Sequence, residues 1–315
     1  MQIGLLGLGK MGMNIAVKLM KEKHEVVVWN RSQEVLEQLR TERSQYIISG
    51  NFVITRSFDE LKSTLRKPRV FWSMLPAGQA TEEVIGHINE VVEQGDIVID
   101  GGNSLYSDTD RRAQMFAQKS VKYLGIGVSG GLLGFDNGYP LMVGGDKDAY
   151  EYVKPILDSL TKPYGKHTYF GQGGAGHFVK MVHNGIEYGM MQALAEGLGV
   201  LAKSDYRYSL KDVTETWQSG SIVASFILDM AHNALQKDPS LSQPDGYIGA
   251  TGEGQWTIDK ARELSVPVPV IEQSLEFRKK SQFDKAIQAT FAAKMVSAIR
   301  HEFGGHPVKH EEGTS

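Results

Sequence analysis

The chain has 315 residues, 41% of them hydrophobic, enough for two well-cored domains. Its formal net charge is −3 with no long basic run, which argues against a nucleic-acid binder. There is no cysteine, so disulfides, thiolate metal sites and a cysteine nucleophile are excluded, and a cytoplasmic setting fits.

No apolar stretch reaches membrane-spanning length, and the first six residues read as the start of a strand, not a leader. Residues 2–6 read as a short, mainly apolar strand and lead into Gly7-Leu8-Gly9-Lys10-Met11-Gly12, followed by a helical pattern over 14–20. Strand, Gly-x-Gly-x-x-Gly, helix is the context in which this motif predicts dinucleotide binding. The glycines allow a tight turn, close approach of a pyrophosphate to a helix N-terminus, and close packing of helix on sheet. The second strand, residues 25–29, ends in Asn30-Arg31-Ser32. An acidic residue at that strand end would hold a free ribose 2′-hydroxyl; an Arg between two short polar residues suits a 2′-phosphate. This loop predicts NADP, with NAD as the alternative.

Strands are expected next at 69–75, closed by Pro76, and at 96–100, followed by Gly101-Gly102-Asn103-Ser104. Two more are expected at 122–126, leading to Ser129-Gly130-Gly131, and at 140–143. Helical patterns lie near 33–40, 80–93, 106–119 and 147–160. This alternation predicts a Rossmann-type, doubly wound parallel sheet over 1–174, with ligands at the carboxyl ends of its strands. Asn103 and Ser129-Gly130-Gly131 fall in loops at that rim and read as walls of a substrate pocket.

From residue 175 to 315 an all-α substrate and oligomerisation domain is expected, with helices at 176–203, 209–236, 255–264, 267–280 and 284–301 and a long loop over 239–254. The first of these helices carries Lys180, His183, Asn184 and Glu187 at i, i+3, i+4 and i+7, hence on one face. An amine, an imidazole, an amide and a carboxylate there can move protons and hold a polyhydroxylated ligand. Gly185 and Gly189 within it cost about 1 kcal/mol each relative to alanine, which points to close packing. The histidines at 301, 306 and 310 lack a carboxylate or thiolate framework, so no metal site is expected.

Taken together, Gly7–Gly12, Asn30–Ser32, Asp100–Ser104, Gly127-Val128-Ser129-Gly130-Gly131 and Lys180-Met181-Val182-His183-Asn184-Gly185-Ile186-Glu187-Tyr188 resemble the decarboxylating 6-phosphogluconate dehydrogenases, in their short form with one helical unit. The first motif is shared across the β-hydroxyacid dehydrogenase superfamily; the others are narrower. The resemblance implies a soluble homodimer or homotetramer that oxidises 6-phosphogluconate with NADP in the pentose phosphate pathway. It implies Lys180 as general base and Glu187 as general acid. Asn103, Ser129, Gly130, Gly131, His183, Asn184 and Tyr188 match substrate contacts, and Arg278 a phosphate-binding arginine. Arg300 and His306 match a tail pair that completes a neighbouring subunit's site. Gly7, Leu8, Gly9, Lys10, Met11 and Gly12, Asn30, Arg31 and Ser32, and Leu75, Pro76 and Ala77 match cofactor contacts, with Asn103 beside them. One departure stands out: longer members carry a phosphate-contact lysine near the segment Ala250-Thr251-Gly252-Glu253-Gly254-Gln255-Trp256, where this chain has none. The rivals are a 3-hydroxyisobutyrate-type dehydrogenase, which needs no phosphate site, and a non-catalytic NADP-binding protein, which needs no acid/base pair.

Overall fold

A computed structural model describes residues 1–42 and 51–305. The chain divides into two compact units, Met1–Met181 and Val182–Ser315.

Among the described residues the first unit has eight strands: β1 Gln2–Leu6, β2 Glu25–Trp29, β3 Phe52–Ile54, β4 Val70–Ser73, β5 Ile97–Asp100, β6 Lys122–Val128, β7 Leu141–Gly145 and β8 His167–Gly171. They form one sheet in the order β3-β2-β1-β4-β5-β6-β7-β8. Helices cover both faces, so β4 and β5 are buried throughout and read as apolar runs without alternation. On one face α1 (Lys10–Lys21) and α7 (Lys147–Thr161) contribute Ile15, Leu19, Val153 and Leu157 to a core with Ile3, Leu5 and Trp72. On the other, α3 (Phe58–Thr64), α4 (Gln79–Val91) and α5 (Tyr106–Ala117) bury Leu61, Ile85, Ile88 and Phe116 against Leu6, Phe71 and Val98. α2 (Gln33–Glu42) follows β2, and a short α6 (Gly134–Asn137) precedes β7.

Strand order reverses about β1, with β2 on one side and β4 on the other. The crevice at this switch point is where open α/β sheets bind ligands. The expected doubly wound parallel sheet is present, with one pairing that departs from it: β7 runs antiparallel to β6, while β8 returns parallel to β7. The 129–140 connection holds only two short helical turns, at 131–133 and 134–137, and β7 then pairs antiparallel beside β6. β3, β8 and α3 had no sequence expectation; β3 is only three residues long, and β8 is partly exposed and lacks a clean period-2 pattern.

α8 (Ala175–Lys203) begins in the first unit and runs on through the second. The second unit adds α9 Leu210–Gln218, α10 Phe226–Lys237, α11 Glu253–Glu263, α12 Pro269–Ser281, α13 Lys285–Gln288 and α14 Phe291–Gly304. The single helix expected over 209–236 is two. Gly220 takes φ +95° and Ser225 caps α10, its Oγ accepting from the Leu228 amide. The 284–301 pattern is likewise split, with Thr290 capping α14 by accepting from Ala293.

Within the first unit, His177 at the start of α8 is 1% exposed and lies 2.7 Å, Nδ1 to Oγ1, from Thr109. Burial lowers its pKa below the ordinary histidine value. The unfolded chain therefore binds a proton that the folded chain resists, so stability is full above about pH 6.5 and falls as pH drops below it. His24, also buried with a lowered pKa, acts in the same direction. We expect His177→Gln to flatten the fall in melting temperature between pH 7.5 and 5.5; an unaltered slope would show that His177 does not carry it.

Candidate active site

Each glycine of the first loop has its own geometric reason. Gly7 takes φ +93°, which turns the chain out of β1. A Cβ on Gly12 would lie 2.0 Å from the Gly7 carbonyl oxygen, so α1 can seat only with glycine there. A Cβ on Gly9 would meet no protein atom within 4 Å, so open space lies in front of the helix start. Gly9 is the N-cap of α1 and offers no side-chain cap, leaving the first amides for an anion. These residues fit a dinucleotide pyrophosphate. Leu8 is buried, while Lys10 is exposed and Met11 partly buried at the first turn of α1.

Asn30 and Arg31 differ in kind. Asn30 Oδ1 accepts from the Leu8 amide at 2.9 Å and its Nδ2 donates to the Ser32 carbonyl, so this side chain ties the end of β2 to the glycine loop. The Arg31 side chain is 83% exposed and 4.0 Å from Glu83, a surface pair that contributes little. Ser32 is exposed beside it, and Leu75, Pro76 and Ala77 follow β4 across the switch point, the last two exposed.

At the end of β5 a buried ion pair shapes the next loop. Asp100 Oδ2 accepts from Arg112 Nη1 (2.7 Å) and from Ser104 Oγ (2.6 Å), while Oδ1 accepts from the Gly102 amide. Arg112 also donates to Glu82. Asp100 and Arg112 are at most 1% exposed, and this clamp leaves Asn103 as the exposed residue of the loop. After β6, the Ser129 amide donates to the Pro140 carbonyl, and Gly130 and Gly131 take φ +96° and +53°. Lys180 is buried with its stem against β6: a Cβ on Gly127 would fall 2.3 Å from Lys180 Cβ. Glycine at 127 is what admits the amine.

In the second unit, α8, α11, α12 and α14 bring charged groups together. His183 Nδ1 donates to Asn184 Oδ1 at 2.9 Å, a tautomer that the amide oxygen requires, and lies 3.9 Å from Glu187 Oε2. Asn184 Nδ2 in turn donates to Glu253 Oε1 at 3.2 Å. The Arg278 guanidinium lies 3.3 Å from the centre of the Tyr188 ring, and Gly254 backs onto the same ring, where a Cβ would be 2.6 Å from Cε2. Arg278 is 2% exposed and Arg300 8%, yet neither forms an ion pair among the described residues. Burial, reinforced by Arg300, pushes Arg278 down to about 10, with Tyr188, Glu187 and Glu253 opposing. Arg300 is lowered by burial as well. Both guanidiniums remain charged at neutral pH, desolvated and suited to an anion.

The structure thus gathers His183, Asn184, Glu187, Tyr188, Arg278 and Arg300 in the second unit. Lys180, Asn103 and Ser129-Gly130-Gly131 belong to the first. His306 lies outside the described residues. Glu253 and Asp100 stand in motifs quoted from the sequence but received no role there, and Arg112 was not singled out. A charged residue between two glycines at a helix start was the available signal for Glu253; the Asp100–Arg112 pair is separated by 12 positions and left none.

Residues 2–172 match the NAD binding domain of 6-phosphogluconate dehydrogenase, and residues 176–313 the 6-phosphogluconate dehydrogenase C-terminal domain. A Bacillus subtilis (strain 168) protein with the provisional name 6-phosphogluconate dehydrogenase YqeC is 38% identical over 97% of this chain and 98% of its own length. A Haloferax volcanii protein named as an NAD(+)-dependent, decarboxylating 6-phosphogluconate dehydrogenase is 34% identical over 99% of this chain and all of its own. Among solved structures, Plasmodium falciparum 6-phosphogluconate dehydrogenase, determined in apo form and with NADP+ or 6-phosphogluconate, is 34% identical. It superposes with a TM-score of 0.79 over 91% of this chain and 63% of that longer one. Two domain matches that together cover nearly the whole chain, and relatives at this identity over their full length, place it in the 6-phosphogluconate dehydrogenase family, within the β-hydroxyacid dehydrogenases.

Proposed function

We propose that the chain catalyses NADP-dependent oxidative decarboxylation of 6-phosphogluconate to ribulose 5-phosphate and CO2. The observation that carries this reading is the buried Arg278–Arg300 pair next to a helix that also presents Lys180 and Glu187. Desolvated guanidiniums favour a phosphate end, and the acid/base face favours redox and proton-transfer chemistry on the sugar acid.

Bound NADP supplies the hydride acceptor. Lys180, as a neutral amine, takes the proton of the C3 hydroxyl while hydride leaves C3. The resulting ammonium then stands where negative charge develops on the C3 oxygen as CO2 departs from the β-keto acid. Glu187, two turns along the face, delivers a proton to the enediol carbon that was C2 of the substrate and becomes C1 of ribulose 5-phosphate. Asn103, Ser129, Gly130, Gly131, Asn184 and Tyr188 are assigned to substrate binding, and Arg278, Arg300 and His306 to its phosphate end. Lys180→Met should abolish hydride transfer, and Glu187→Gln should slow turnover by about 10²–10⁴-fold while still oxidising the substrate. The discriminating assay supplies the 3-keto intermediate with reduced cofactor. Wild-type rates of enediol protonation by Glu187→Gln would remove Glu187 from the role of acid.

NADP is favoured over NAD by Arg31, whose exposed side chain can reach a 2′-phosphate, with Asn30 holding the loop in place. Charge-assisted contacts to phosphate contribute about 1.5–3 kcal/mol, so Arg31→Asp should lower kcat/KM for NADP by roughly tenfold or more and favour NAD in relative terms. A wild-type protein that turns over NAD better than NADP would contradict this part of the reading.

Assembly is proposed as well. α8 exposes Ile186 and Met190 one turn apart, and Ile222, Val223 and Phe226 are exposed near α10. A surface of this kind favours burial against another copy. Sedimentation should give a dimer or larger; an active monomer would sink the proposal.

A further inference from the structure

Glu253 is the least expected charge in the second unit. It opens α11 directly after Gly252 and is 2% exposed. Its Oε1 accepts from Asn184 Nδ2, and its Oε2 is buried with no hydrogen-bond donor among the described residues. The groups around it are Arg278 from α12, Arg300 from α14, and Glu187 and Tyr188 from α8. His183 is linked through Asn184, and Tyr247 precedes the helix. A buried carboxylate oxygen left without a donor is costly, so a site that keeps one beside two arginines has a use for it.

We propose that Glu253 is a specificity-determining residue that accepts a hydrogen bond from the phosphate end of the substrate, so that the site takes a phosphomonoester carrying one proton. This rests on the phosphate-ester reading above. The arginine pair neutralises phosphoryl oxygens, but a carboxylate facing a fully ionised phosphate would set two anionic oxygens against each other with nothing between them. A proton shared between Oε2 and a phosphoryl oxygen removes that repulsion and pairs the orphan acceptor. The proton comes from solvent, and it belongs to the pair, not to either partner. The pair also discriminates: a sulfate ester, with the same shape but no proton at neutral pH, leaves Glu253 facing an acceptor.

Three measurements on the full-length protein test this. Calorimetry of 6-phosphogluconate binding at pH 7.5, in buffers of different ionisation enthalpy, should show uptake of on the order of one proton per site in the wild type and none in Glu253→Gln. The ratio of kcat/KM for Glu253→Gln to that of the wild type should rise by about tenfold per pH unit above about pH 6, where the phosphate loses its second proton. The ratio cancels ionisations common to both proteins. Independently of any variant, the wild type at pH 6 should bind the 6-sulfate ester of gluconate at least about tenfold more weakly than the phosphate ester. Phosphate binding without proton uptake, equal uptake in Glu253→Gln, or equal binding of the sulfate ester would each overturn the role of Glu253 and leave the phosphate site standing. If 6-phosphogluconate is bound and turned over no better than gluconate, the substrate reading fails and this inference fails with it.

Discussion

Two buried guanidiniums with no carboxylate in salt-bridge contact among the described residues are an expensive arrangement, and the second unit is organised around keeping it. Removing such charges from water costs several kcal/mol per ion in effective terms. Tyr188 spreads its ring under Arg278, the α8 and α11 carboxylates lie within electrostatic reach, and Gly254 lets α11 close onto the same ring. Burial lowers the pKa of both arginines. An anionic ligand is the natural counterpart of that design. A buried apolar core of the same volume would be cheaper if stability alone were at stake.

The first unit solves a different problem with backbone. Its ligand loops carry few committed side chains: Gly7 turns, Gly12 seats the helix, and Gly9 leaves room before the α1 amides. Where a loop must be rigid, buried polar groups fix it from behind, Asp100 and Arg112 beneath Asn103 and Asn30 behind Leu8. Gly127 shows the same economy, since its missing side chain is the space that Lys180 fills.

Much of this was legible in the residues because it depends on local pattern. The glycine fingerprint after β1, the apolar runs of β4 and β5, and the i, i+3, i+4, i+7 face of α8 are all short-range signals. What escaped depends on tertiary context. The reversal of β7 is a choice of strand pairing, and the break between α9 and α10 rests on a single glycine and a serine cap. Asp100 finds Arg112 and Asn184 finds Glu253 across 12 and 69 positions, separations that no periodicity encodes. Arg278 and Arg300 were legible only through family resemblance; that both are buried came from the fold.

The proposed activity couples oxidation to decarboxylation of a phosphate-bearing substrate, and a single stoichiometry tests that coupling. The protein should be given 6-phosphogluconate labelled at C1, with NADP, and labelled CO2 measured against NADPH. One CO2 per NADPH, with the label leaving entirely as CO2, is the result expected. NADPH formed without labelled CO2, or formed equally well from a small unphosphorylated 3-hydroxy acid, would contradict it.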